Sequence, residues 1–92
     1  LDHTLWDFET NSKLALNELF EINGLKEKGV RDFNQFYQTY RPINDQFWYL
    51  YHNHKVSKEE LRLGRFRETL TRFSIQDEYL VEILAQQYID IS

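Results

Sequence analysis

The chain has 92 residues, 41% of them apolar and 28% charged, which predicts one globular domain rather than a disordered segment. Its net charge of −4 argues against a protein that binds a nucleic-acid polymer, because such a protein needs a basic face. The chain has no cysteine, which excludes disulfides and fits a cytoplasmic protein, and no apolar run near the ~20 residues that would span a membrane.

The first predicted helix runs from about Glu9 to Asn23, after a segment, 1–8, that is too short to form a domain. Apolar residues recur along this stretch at spacings of three and four, which is typical of one helix face. They are Leu16, Leu19 and Phe20. Gly24 is a suitable stop for the helix, and residues 25–29 are predicted to be a connection.

The second predicted helix begins near Asp32, a favourable N-cap residue, and its apolar stripe continues without interruption through Pro42. The stripe consists of Phe33, Phe36, Tyr37, Tyr40, Ile43, Phe47, Leu50, Tyr51 and His54. Proline inside a helix removes one hydrogen bond and kinks the axis, at a cost of ~3 kcal/mol. The segment is therefore either one kinked helix or two helices joined by a turn, and the continuous apolar period favours one kinked helix.

The third predicted helix has the clearest start, because Ser57 and Glu60 have the spacing of a capping box. Its apolar residues are Leu63, Phe66, Leu70 and Phe73. Residues 74–77 interrupt it, and a fourth helix is predicted over about 77–90, with Leu80, Ile83, Leu84, Tyr88 and Ile91 on its apolar face. Four amphipathic helices with short connections predict an all-α fold, an antiparallel four-helix bundle.

Two parts of the sequence carry a resemblance to a known family. The opening Leu-Asp-His-Thr-Leu-Trp-Asp, 1–7, is similar to the end of the first motif of haloacid dehalogenase-superfamily phosphatases, Asp-x-Asp-x-Thr followed by Leu-x-Asp. The later motifs are Tyr40-x-x-Ile43-Asn44-x-x-Phe47-Trp48-x-x-Tyr51 and Glu60-Leu61-Arg62-x-x-Arg65-Phe66, and they resemble the helical caps of the bacterial pyrimidine nucleotidases of that superfamily. Phe47 departs from the pattern, which has leucine there. The resemblance covers essentially the whole chain.

The resemblance implies that residues 1–8 are the end of the first catalytic motif and a linker, and that 9–92 are a cap domain excised from an α/β Rossmann-like hydrolase. Asp2 would be the general acid/base, with its backbone carbonyl helping to hold Mg²⁺, and Thr4 the motif threonine. The nucleophilic aspartate would stand just before Leu1. The chain starts with leucine and contains no methionine, so we expect it to be cut from a longer protein and to be inactive alone.

The function that the resemblance implies is Mg²⁺-dependent hydrolysis of a phosphomonoester, with the protein acting as a nucleoside 5′-monophosphatase through an aspartyl-phosphate. The cap would close over the site, exclude water and select the leaving group. Its partners would be the nucleotide substrate and the Rossmann-like core domain of the same chain. The alternative is a stand-alone helical interaction module that uses the aromatic stripe as a groove for a partner.

The candidate substrate-binding residues are Trp6, Asn44, Arg62 and Arg65. Trp6 follows the first motif and is placed to stack on a base. Asn44 lies on the apolar face of the second helix, where its amide either binds substrate or is satisfied within the bundle or by the kink at Pro42, and the second reading is favoured.

A basic strip is predicted on one flank of the third helix, formed by Lys58, Arg62, Arg65 and Arg72. It either holds an anionic substrate or is a solvated face with Glu59 and Glu68 as neighbours, and the second reading is favoured. Arg65 is the best single candidate because it lies in the stretch that matches the family. Trp48 is predicted to have a core or interdomain role, and the three histidines are not spaced as a metal-ligand set.

Overall fold

The computed structural model describes the backbone of residues 2–91 and the side chains of residues 12–91. The helices are α1 (Asp2–Ile22), α2 (Leu25–Lys28), α3 (Phe33–His52), α4 (Lys58–Thr71) and α5 (Glu78–Ile91). Over this described range the chain contains no β-strand, so the predicted all-helical bundle is confirmed.

Helix α1 is longer than expected at its start, since it begins at Asp2 rather than near Glu9. No glycine or proline lies between these two residues to interrupt a helix. The predicted stop is confirmed, because Gly24 adopts a left-handed conformation with φ 58°, which a residue with a side chain rarely adopts. The stretch predicted as a connection contains the single helical turn α2.

The two predicted N-caps are confirmed. The carboxylate of Asp32 accepts a hydrogen bond of 2.9 Å from the backbone N–H of Gln35 at the start of α3. At the start of α4, Ser57 Oγ accepts from the N–H of Glu60 at 3.0 Å, and the Glu60 carboxylate accepts from the N–H of Ser57 at 2.7 Å. These bonds satisfy donors that have no partner inside the helix, so each helix begins where its cap dictates.

Pro42 lies inside α3, which is one continuous helix over Phe33–His52, as the unbroken apolar period favoured. The carbonyl that loses its helical partner belongs to Gln38, and both residues are on the exposed side of the helix, where water can replace the bond. The predicted stripe extends past the end of the helix, because its last residue, His54, lies beyond α3 in a left-handed conformation with φ 59°.

The core is built from all the long helices together with α2. Its buried apolar residues are Ala15, Leu16, Leu19, Phe20, Leu25, Val30, Phe36, Tyr37, Tyr40, Phe66, Leu70, Leu80, Val81, Leu84, Ala85 and Tyr88. Leu63, Phe73 and Ile75 pack at its edge. The predicted phases of α1, α4, α5 and the first half of α3 are therefore confirmed, although the buried faces are wider than the stripes. The apolar residues of the second half of α3 are only half-buried and lie outside this core, namely Ile43, Phe47, Leu50 and Tyr51.

The order of packing follows the chain: α3 packs on α4, α4 packs on α5, and α5 returns to α1. Helices α3 and α4 approach closely at Gly64, where an added Cβ would stand 2.6 Å from the ring of Phe47. A larger residue at this position would push that ring away. Of the helices in the described part of the chain, none is long and apolar enough to cross a membrane.

Candidate functional site

Three of the predicted site residues, Asp2, Thr4 and Trp6, have side chains outside the described residues. The roles assigned to them stay predictions. The other three, Asn44, Arg62 and Arg65, lie on α3 and α4, and the structure places only two of them together.

Asn44 and Arg65 meet across the interface between α3 and α4. The guanidinium Nη1 of Arg65 donates a hydrogen bond of 3.1 Å to Asn44 Oδ1. The hydroxyl of Tyr40, one turn earlier on α3, lies 3.4 Å from the same oxygen, at the long end of hydrogen-bond distances. The amide oxygen is thus satisfied within the bundle, as the favoured reading predicted, while the amide nitrogen has no partner among the described side chains.

Arg65 is buried, with 6% of its surface exposed, so its expected place on a solvated flank is wrong. Its guanidinium carbon lies 4.9 Å from the ring centroid of Tyr88 and 5.6 Å from that of Phe66. Within residues 12–91 no carboxylate forms an ion pair with it, and its buried Nε has no hydrogen-bond partner. Aromatic rings thus lie within cation–π distance of this charge, where an ion pair is absent among the described residues.

The group of polar residues around Arg65 extends to α5 and α1 through the phenol groups of Tyr40 and Tyr88. The ring of Tyr40 lies 6.5 Å from that of Tyr88, and the Tyr88 hydroxyl is 2.6 Å from Ser12 Oγ. Burial raises the pKa of the Tyr40 phenol well above its ordinary value, although the positive charge of Arg65 acts in the opposite direction. We call Ser12, Tyr40, Asn44, Arg65 and Tyr88 the polar cluster.

Arg62 does not join the polar cluster. It forms two hydrogen bonds with Glu59, of 3.1 Å and 2.8 Å, one turn earlier on the surface of α4. These bonds lower the pKa of the Glu59 carboxyl and raise that of Arg62. The basic strip is therefore divided: Arg62 pairs with an acidic neighbour, as the solvated-face reading predicted, and Arg65 leaves the strip for the interior.

Trp48 does not lie in the core. It is 39% exposed, and its ring packs against Tyr51 and His52 at centroid distances of 5.8 Å each. The rings in the first half of α3, by contrast, are buried, since Phe36, Tyr37 and Tyr40 are at most 8% exposed. That half of the aromatic stripe is occupied by the bundle itself and is not open to a partner.

Sequence reasoning missed Ser12, Tyr40 and Tyr88 as members of a site, because the two tyrosines fit the apolar stripes of α3 and α5. A signal was present. A tyrosine on a buried stripe needs a hydrogen-bond partner for its hydroxyl, and Asn44 stands one turn after Tyr40. The contact with Ser12 joins residues 76 positions apart, which helix periodicity does not reveal.

Comparison with known proteins supports the sequence resemblance. No protein-family model matches the chain. The chain is 36% identical over 88 residues, 96% of its length, to the Pyrimidine 5′-nucleotidase PynA of Streptococcus pneumoniae (strain ATCC BAA-255 / R6). It spans about a third of that relative, 34% of its length. The predicted resemblance to the bacterial pyrimidine nucleotidases is confirmed.

Proposed function

We propose that this chain, which is similar over nearly its whole length to part of a pyrimidine 5′-nucleotidase, is the helical cap of a haloacid dehalogenase-superfamily phosphatase. The protein that contains it would hydrolyse nucleoside 5′-monophosphates through an aspartyl-phosphate. The observation that carries the proposal is the 36% identity over 88 residues, found in a chain that folds as an all-helical bundle.

The described residues are suited to selecting a substrate rather than to attacking a phosphoryl group. Among the side chains from 12 to 91, no group of three histidine, aspartate or glutamate residues could hold a metal ion. The Mg²⁺ that the resemblance implies would therefore be held outside these residues, with Asp2 as one of its ligands. The chemistry would instead fall on Asp2, on Thr4 and on residues of a core domain.

The division of labour has a physical basis. A core domain that holds the phosphoryl group leaves the sugar and base of a nucleotide pointing away from it. A bundle that closes over them removes bulk water from the site and adds contacts to the leaving group. Those contacts raise kcat/KM for substrates that reach the cap and leave shorter phosphomonoesters unaffected.

The test uses the full-length protein encoded by the gene that contains this chain. We expect phosphate release from uridine and cytidine 5′-monophosphates, and we expect Asp2→Asn to lower kcat by ~10²-fold, the usual scale for loss of a general acid/base. Glu21→Gln, which removes one negative charge from the exposed face of α1, is the control and should retain activity. A full-length protein that releases no phosphate from any nucleotide would contradict the proposal.

A further inference from the structure

We infer that Asn44 recognises a pyrimidine base by donating a hydrogen bond from its amide nitrogen Nδ2 to the carbonyl oxygen at C2 of the ring, and that Arg65 is the positioning residue that holds the amide in this orientation. The inference rests on the proposed function, and it assigns part of the enzyme's selectivity for its substrate to Asn44 and Arg65.

The orientation of the amide follows from the chemistry of its neighbours. A guanidinium group donates hydrogen bonds and accepts none, so the atom of Asn44 that lies 3.1 Å from Arg65 Nη1 has to be the oxygen. The hydroxyl of Tyr40 also has a proton to donate to that oxygen. A flipped amide would bring its N–H groups against the donors of Arg65. Asn44 therefore presents nitrogen, a donor of two hydrogen bonds, on its other side.

Arg65 is held firmly enough to act as this support. It is 6% exposed, and its guanidinium lies over the ring of Tyr88 at 4.9 Å on one helix and is bonded to Asn44 on another. Tyr88 is itself held by Ser12 of α1 at 2.6 Å. Residues from different helices thus hold one another in place within the polar cluster. The orientation of the Asn44 amide therefore depends on the folded bundle.

The amide nitrogen is available to a ligand. Asn44 is half-buried, and its Nδ2 has no hydrogen-bond partner among the side chains that the structure describes. Among the described residues only Arg65 Nε is a fully buried polar atom without a partner, so Asn44 Nδ2 is reachable from solvent and a ligand acceptor can take the place of water there. The polar cluster also reaches Ser12, which lies on the same helix, α1, as most of the segment 1–7 that carries the resemblance to the first catalytic motif.

The donor selects a chemical class of base. Uracil, cytosine and thymine all carry a carbonyl oxygen at C2, whereas the groups at C4 differ between them. A pair of N–H donors directed at C2 would therefore accept every pyrimidine base without distinguishing uracil from cytosine. Adenine presents its ring nitrogen N3 in the equivalent position, so discrimination against purines would depend on the room for the larger ring and not on this hydrogen bond.

The first test changes the substrate and leaves the full-length protein intact. Sulfur is a weaker hydrogen-bond acceptor than oxygen. We expect kcat/KM for 2-thiouridine 5′-monophosphate to fall by about tenfold to a hundredfold relative to uridine 5′-monophosphate. The 4-thiouridine compound, with the same bulk at the other position, should retain the value for uridine. Equal values for the two thio compounds, or a loss confined to the 4-thio compound, would overturn the inference.

The second test changes the protein. Asn44→Asp keeps an oxygen for Arg65 and replaces both N–H donors with an acceptor that repels the base carbonyl. We expect kcat/KM for uridine and cytidine 5′-monophosphates to fall by about a hundredfold, while hydrolysis of ribose 5-phosphate is unchanged. Gln38→Glu, which changes the charge equally at an exposed position of α3, is the control. Equal losses on nucleotides and on ribose 5-phosphate would assign Asn44 a structural role and overturn the inference.

Failure of this inference and failure of the proposed function give different results. A full-length protein that hydrolyses no phosphomonoester would remove the proposed function. A protein that hydrolyses nucleotides, yet treats the two thio compounds alike, would keep the proposed function and remove only the role of Asn44.

Discussion

Arg65 shows how a single residue is placed by the fold rather than by its own polarity. It shares a face of α4 with Leu61 and Thr69, each four residues away, and all three are buried. The Thr69 hydroxyl donates a hydrogen bond of 2.7 Å to the backbone carbonyl of Arg65, so this buried hydroxyl has a partner within α4. A cation stacked on a desolvated ring gains about 2 kcal/mol or more, which offsets part of the cost of removing the charge from water.

Tyr40 gives a prediction about pH. Its phenol has a raised pKa in the folded protein because it is buried, against an ordinary value of 10.0. Below pH 10.0 the phenol is neutral in the folded and the unfolded chain, so its contribution to the free energy of unfolding is fully present. As the pH rises further, the phenol of the unfolded chain ionises first, so the free energy of unfolding should fall by up to about 1.4 kcal/mol per pH unit.

The measurement is urea denaturation at pH 9 and pH 11 for the wild-type chain and two variants. Tyr40→Phe removes the buried ionisable group, so its stability should decline less over this interval. Tyr49→Phe is the matched control, since Tyr49 is 64% exposed and should leave the wild-type decline intact. If Tyr40→Phe declines as steeply as the wild type, Tyr40 is not the buried group that resists ionisation.

At the scale of the element, the start of α4 depends on residues close in sequence, whereas its packing depends on helices distant in sequence. Its first turn is determined by the capping box of Ser57 and Glu60. Its interior has contacts to two helices, because α3 lies on one side of it and α5 on the other. A helix packed on two sides has a buried face wider than one stripe, which explains why Leu61 and Thr69 are buried beside Phe66 and Leu70.

Leu70 is the residue with which to test this packing. It is 1% exposed near the end of α4, and Leu70→Ala should lower the free energy of unfolding by ~2–5 kcal/mol through lost burial and the cavity that remains. Leu14→Ala makes the same change on α1 at a position that is 60% exposed, and its effect should stay within ~0.5 kcal/mol. Urea denaturation measures both. Similar effects of the two substitutions would show that the helix face assigned to Leu70 is wrong.

At the scale of the whole molecule, the bundle has the compactness of an independent domain. Its radius of gyration is 12.9 Å, close to the roughly 12 Å expected of a compact chain of this length. Its core includes residues from α1 through α5, so the first and last long helices are tied together by burial as well as by the bond between Ser12 and Tyr88.

We expect the isolated 92-residue chain to fold cooperatively and to have no phosphatase activity above background. The core supports folding, whereas the described side chains offer no metal site and the predicted nucleophile is not among these residues. Circular dichroism with urea denaturation tests the first expectation, and phosphate release from nucleotides in the presence of Mg²⁺ tests the second. Robust Mg²⁺-dependent hydrolysis by this chain alone would contradict the assignment of these residues to a cap.

The sequence by itself determined the features that depend on neighbours along the chain. The caps at Asp32 and Ser57, the stop at Gly24 and the phase of each apolar stripe were all predicted, because hydrogen bonds and helix faces repeat over three or four residues. The family resemblance was equally readable, since it rests on residue types at short spacings. The start of α1 was not predicted, because residues 1–8 were assigned to the end of a catalytic motif and a linker and the apolar repeat was followed only from Glu9 onward.

Only the tertiary structure decided which polar residues form a cluster. Periodicity placed Arg65 and Arg62 on one flank, yet Arg62 pairs with Glu59 at the surface while Arg65 is buried against Tyr88. The difference depends on the surroundings of each guanidinium: that of Arg65 faces an aromatic ring of α5, and that of Arg62 faces solvent. The contact between Asn44 and Arg65 joins residues 21 positions apart, in the same interface between α3 and α4 where Gly64 meets the ring of Phe47.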